Sequence, residues 1–216
     1  GIPEAPTFPL GDTDGKLVSA GCGDYKKLPN AETRADKVAF VPHVAEGIND
    51  FARNEFLCLS GSVDGSQDLL METSAFIHGI GLTAADAGLM ATEGAGLIWS
   101  PRSNISLYGF TAQVRMYDEL GMRIALGTDW PASGSINVLR ELACADFLND
   151  TYFDGYFTDR DLVDMATQTA AELSGFGDVI GSIQVGRWAD LTLFDSSVNS
   201  GYRALLNGTV KDVILV

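Results

Sequence analysis

Basic residues are scarce in this 216-residue chain: 14 Lys and Arg stand against 29 Asp and Glu, a formal charge of −15. Nucleic-acid binders need a basic face, and anionic membrane surfaces recruit Lys and Arg, so neither partner class is expected. The acidity itself reads as a solubility feature. Cysteine is nearly absent, with three residues (Cys22, Cys58 and Cys144). An odd count without Cys-x-x-Cys excludes a zinc ribbon or disulfide scaffold legible from spacing. Cys58 and Cys144 lie in apolar helical contexts and read as inert core residues, and Cys22, between glycines, as an exposed position. There is no run of about 18 apolar residues to span a membrane. No basic-then-apolar leader opens this sequence, and the compartment is left unknown, cytoplasmic by default. The start at Gly1 without Met suggests a fragment or a processed chain. Phosphate-binding glycine motifs are missing too, which argues against a nucleotide-binding open sheet.

What is present is enough apolar material for a core: 46% of residues are hydrophobic. Residues 1–35, rich in Gly, Pro, Asp and Lys, read as a loop or linker with one short strand near Lys16–Ala20. From Lys37 onward, apolar strands alternate with helical patterns. KVAFVPH, SAFIHG, GLIWSP and MRIALGTD are predicted strands. Helices are expected over Ile48–Ser60, from Thr83 to near Gly94, and from Phe110 to Gly121. Two more follow, one from a Ser135 cap with Ile136, Leu139, Leu142 and Phe147 on its buried stripe, and one from Thr158 to about Ser174. Thr83 and Thr158 each head a capping box. Nearly continuous apolar strands between helices imply parallel strands buried on both faces, an α/β fold. ADLTLFD and TVKDVILV read as strands with no helix between them.

Both histidines and one aspartate close predicted strands: His43 ends VAFVPH, His78 ends SAFIH and Asp129 ends RIALGTD. In a barrel of parallel strands, those ends form the catalytic mouth. Each is weak evidence alone, since a lone histidine is more often a hydrogen-bonded structural group and Gly-Thr-Asp is often only a turn. Their joint placement favours function. Glu46, three residues beyond His43, reads either as a carboxylate on a helix dipole or as a general acid/base, the latter favoured by the trio. Ser103 and Asn104, in PRSN, read as a turn that supports the mouth. Arg102, Tyr108 and Trp130 are candidates to face substrate, an aromatic there being suited to stacking.

HVAEGI, FIHG followed by WSPRSNISLYG, and ALGTDW together resemble the amidohydrolase superfamily, in its branch of cytosine and guanine deaminases, chlorohydrolases and imidazolonepropionases. VGRWADLTLFD resembles the return into that family's small β-sandwich. The resemblance spans Lys37 to Asp195 and implies a (β/α)8 barrel. Carried over by position, it implies His43 and Asp129 as metal ligands, and Glu46, His78 and Asp129 as catalytic groups. It implies one divalent ion, zinc first and iron second, and a small-molecule substrate with a non-peptide C–N bond: a cyclic amide, an amidine or an aminated heterocycle. The family's His-x-His pair of barrel strand one is absent here, and only four strand–helix units are present. The expected architecture is therefore the C-terminal half of a barrel, strands five to eight in residues 36–185, with part of a small β domain in 186–216. The expected partner is the missing N-terminal half or a second copy of the chain. By itself this portion would be inactive. A truncated, non-catalytic assembly or binding domain is the alternative.

Overall fold

A computed structural model describes residues 2–216. Four short strands form one sheet: β1 (His43–Val44), β2 (Ala75–His78), β3 (Gly96–Trp99) and β4 (Ile124–Leu126). They lie in the order β1-β2-β3-β4, every pair parallel. The helices between them are α2 (Asp50–Leu59), α3 (Ala84–Thr92), α4 (Pro101–Tyr108) and α5 (Val114–Glu119), after a short α1 (Ala31–Ala35). Beyond β4 come α6 (Val138–Tyr152), α7 (Asp159–Ala166) and α8 (Gln168–Leu173). This is the α/β organisation expected, with Phe76, Leu97 and Trp99 fully buried in a core that also takes Phe56, Met90, Tyr117 and Leu162. Both capping boxes are formed, Thr83 with Asp86 and Thr158 with Asp161. Among the described residues, no helix is long and apolar enough to cross a membrane.

Several local expectations give way. PRSN is not a turn but the first turn of α4: Pro101 occupies the first helical position, where its missing N–H costs nothing, and Gly109 closes the helix at φ 63°. The following helix begins at Val114 rather than Phe110, and Phe110 stays exposed. Asn137, not Ser135, caps α6, and its buried stripe is Glu141, Leu142, Ala145, Asp146, Leu148 and Asn149, while Ile136 and Phe147 face solvent. Charged and amide side chains lie on that stripe because each has a partner there, which hydropathy alone does not register. The last expected helix breaks at Thr167, whose ψ of −87° leaves the helical region, into α7 and α8.

The N-terminal segment is not a free linker, and Lys16–Ala20 forms no strand. Glu4 and Pro6 lie along the outer edge beside β1: Glu4 N donates to Ala39 O, and Val41 N and His43 N donate to Glu4 O and Pro6 O. Leu10, Val18, Cys22 and Tyr25 enter the core. Cys22 and Cys58 form a disulfide, which overturns the reading of Cys58 as an inert thiol and of Cys22 as exposed. The two sulfurs meet because residues 21–25 fold onto α2, where Asn54 Nδ2 donates to Gly21 O at 2.9 Å.

The C-terminal strands do pair, β5 (Leu193–Phe194) antiparallel with β6 (Val213–Leu215). A helix, α9 (Arg203–Leu206), and a 3-10 turn (Val210–Asp212) intervene, contrary to expectation. Arg203 sends its guanidinium to Asp146 of α6 and Asp159 of α7, and Leu206 is buried in the main core. Residues 203–206 therefore belong to the packing of the larger unit.

Candidate metal centre

The short parallel strands end together, and their C-terminal ends carry the chemistry. His43 opens β1, His78 closes β2, and Asp129 follows β4 by three residues. Each of the three offers one ligand atom, and these atoms all lie within 4.8 Å of one another. The backbone at this rim is unusual. His78 has φ 77°, Asp129 φ 54° and Ala45 φ 55°, left-handed values that non-glycine residues seldom adopt. Such conformations cost of order 1–3 kcal/mol each and persist where surrounding structure enforces them. Two of these residues, His78 and Asp129, belong to the cluster itself.

His78 is completely buried. Its Nδ1 meets Asn104 Nδ2 at 3.1 Å. Its Nε2 has no hydrogen-bond partner, although Glu46 Oε2 stands 3.4 Å away. Burial depresses the imidazole to about 4, the Asp129 charge opposing this and His43 adding to it. The ring is therefore neutral near pH 7. His43, whose ring centroid is 5.3 Å from that of His78, sets its Nδ1 3.4 Å from Pro6 O. Glu46 is pushed above the ordinary carboxylate range by burial and by the Asp129 charge, and the Tyr108 hydroxyl, donating to Oε1 at 3.2 Å, pulls the other way.

Not all the expected residues gather here. Tyr108 reaches Glu46 and joins it in lining a cavity of about 280 Å³ with Lys16, Tyr25, Phe51 and Glu55. Trp130 is 72% exposed at the rim. Arg102 points elsewhere: Nε donates to Ser135 Oγ and Nη2 to Arg140 O, which ties α4 to the start of α6. The expectation that it faces substrate is corrected accordingly. Ser103 is buried, its hydroxyl returned to Ser100 O, and serves α4. Two carboxylates went unnoticed in the sequence. Glu141 is fully buried and accepts from Arg102 N at 2.9 Å, capping α4 from another helix. Glu55 accepts from Ala45 N at 3.0 Å, and burial raises it to about 8. Their spacing from the recognisable residues carries no periodic signal that could have revealed them.

The chemistry of this donor set fits a divalent ion. An imidazole nitrogen of His43 and a carboxylate oxygen of Asp129 converge at the mouth. Zinc and iron both accept such ligands.

The chain thus presents a parallel α/β sheet with two histidines and an aspartate gathered at one rim. The sequence profile of the amidohydrolase family matches residues 33–215, and the chain belongs to that family. A 5-methylthioadenosine/S-adenosylhomocysteine deaminase of Halobacterium salinarum is 37% identical over 130 residues, which cover 59% of this chain and 30% of that protein. Among solved structures, an adenosine deaminase from Xanthomonas campestris with bound zinc superposes with TM-score 0.64 at 22% identity, over 85% of this chain and 52% of that one. The Escherichia coli guanine deaminase gives 0.67 at 18% identity, over 84% and 47%. At these identities the structures speak for the fold, that of a barrel family. The alignment with the Halobacterium enzyme spans less than a third of that relative's length.

Proposed function

We propose that this chain forms one side of the active site of a hydrolase that cleaves a non-peptide C–N bond in a cyclic amide, amidine or aminated heterocycle. The observation that carries the reading is the convergence of His43, His78 and Asp129 beside Glu46. The deaminase names of its relatives favour the aminated heterocycle within that class. The chain is read as strands five to eight of a barrel, 36–185, followed by part of a small β domain. That reading is supported by four parallel strands in sequential order, with no further strand joining that sheet among the described residues.

His43 and Asp129 would hold the ion, zinc first and iron second. One imidazole and one carboxylate are too few for a zinc site, which takes three or four protein ligands. The remainder would come from an N-terminal half of the barrel or from a second copy. When bound, such an ion supplies positive charge that lowers the pKa of water and favours developing negative charge. Around it, Asp129 accepts the proton of the attacking water. Glu46, raised by burial, is suited to deliver a proton to the departing nitrogen. His78 faces the reacting carbon's substituent from a dry wall.

The test is metal analysis of the intact protein, followed by a screen for ammonia or amine release across aminated heterocycles and cyclic amides. Stoichiometric zinc or iron with turnover supports the reading. No metal and no turnover would favour the alternative, a non-catalytic binding or assembly domain.

A further inference from the structure

Two histidines share this mouth, and their neighbours give them opposite hydrogen-bonding characters. We propose that Trp99, Thr111 and Asn104 act as positioning residues, a one-way donor relay that fixes His78 as the Nε2–H tautomer. This rests on the hydrolase reading above for what the donor meets, but not for the tautomer itself.

The direction of the relay follows from its first member. An indole N–H only donates, and Trp99 Nε1 lies 2.7 Å from Thr111 Oγ1. The threonine hydroxyl accepts that proton and passes its own to Asn104 Oδ1 at 3.3 Å. With its oxygen so engaged, the amide turns its NH2 toward His78 Nδ1, 3.1 Å away. An NH2 has nothing with which to accept, so Nδ1 is the acceptor, and the neutral ring carries its proton on Nε2. The opposite amide orientation would leave the Thr111 proton without an acceptor in a dry site. Trp99, Thr111, Asn104 and His78 are all buried, so solvent would not replace the lost bond.

At His43 the logic reverses. Nδ1 faces the carbonyl oxygen of Pro6, which can only accept, so Nδ1 holds the proton and Nε2 keeps a lone pair. That is the state a metal ligand needs, oriented by a backbone carbonyl. His78 Nε2–H is instead a buried donor that makes no hydrogen bond within the protein, with Glu46 Oε2 3.4 Å away but outside hydrogen-bond geometry. Under the hydrolase reading this donor would face the substrate. Trp99, Thr111 and Asn104 are positioning residues: none of the three ends in the shared space, and each acts through His78.

The test uses the full chain with isotopically labelled histidine near neutral pH, alone and with stoichiometric zinc ion. With only two histidines, a His43→Ala variant assigns the spectrum. The expected result is an Nε2–H pattern at His78 that zinc leaves in place. Thr111→Val should move His78 toward Nδ1–H, and Thr111→Ser should restore Nε2–H. In the intact protein, Thr111→Val should lower kcat about 10- to 100-fold at unchanged zinc content. Trp99→Phe, which removes the first donor, gives the same answer should the valine variant not fold. An Nδ1–H pattern at His78 in the unaltered protein, zinc ligation by His78, or a tautomer indifferent to both variants would overturn the relay. Absence of turnover in the intact protein, with this pattern and its response to both variants in place, would instead remove the hydrolase reading and leave the relay standing.

Discussion

Breaking the Cys22–Cys58 bond is expected to cost this protein about 3.8 kcal/mol. The two cysteines are 36 residues apart in sequence. Releasing a closed loop of that length returns roughly 13 cal/mol/K of chain entropy to the unfolded state, which is about 3.8 kcal/mol at room temperature. The folded state should survive the loss. Asn54 still holds Gly21 O, and Leu10, Val18 and Tyr25 remain anchored in the core. With a urea dependence of about 2 kcal/mol per M, the unfolding midpoint should fall by about 2 M. The assay is urea unfolding followed by tryptophan fluorescence, on oxidised protein, on reduced protein and on the paired variant Cys22→Ala, Cys58→Ala. Cys144, the remaining free thiol, provides the control: Cys144→Ser should leave the midpoint in place. Superimposable transitions for oxidised and reduced protein, with the bond verified by mass spectrometry, would refute the argument. So would oxidised protein in which Cys22 and Cys58 are not linked.

In the intact protein, Asp129→Asn should preserve folding and nearly abolish turnover, because an amide cannot take the proton of water; Glu46→Gln should cost about 10²–10⁴-fold, both read from steady-state kinetics beside circular dichroism. Glu55 rises from 4.5 in the unfolded chain to about 8 in the fold. The folded state then binds the extra proton, so the Glu55 contribution is fully present below pH 4.5 and is lost as pH climbs through 8, at up to about 1.4 kcal/mol per pH unit. Denaturation of wild type and Glu55→Gln at several pH values checks this, and a difference independent of pH would refute it. Arg203→Met should destabilise by about 1–2 kcal/mol, since it strands Asp146, whose side chain is 13% exposed, while Asp159 can turn to water. Thermal unfolding measures that loss, and restored stability in the double variant Arg203→Met, Asp146→Leu would identify the stranded charge as its source.

The sequence carried those features whose physics is local. Thr83 and Thr158 announced their helices because a capping box closes within three residues of its own chain. Three of the four apolar runs announced parallel strands because burial on both faces leaves no polar alternation, whereas KVAFVPH forms only isolated bridges at Phe40 and enters β1 at its last residue, His43. His43, His78 and Asp129 were legible as a group because each stands at or just past the end of such a run, and parallel strands bring equivalent ends together. The tertiary structure alone decided what each side chain meets. Cys22 finds Cys58 across 36 residues, and Tyr108 finds Glu46 across 62. Arg102 turns to Ser135, and Asn104, which reads in sequence as a turn residue, becomes the buried neighbour of His78. Pro6, in a segment that reads as linker, supplies the carbonyl that faces His43. Such pairings depend on where the chain returns after tens of residues. Composition and periodicity record whether a position is buried, and the partner that makes burying a polar group tolerable comes from elsewhere in the chain.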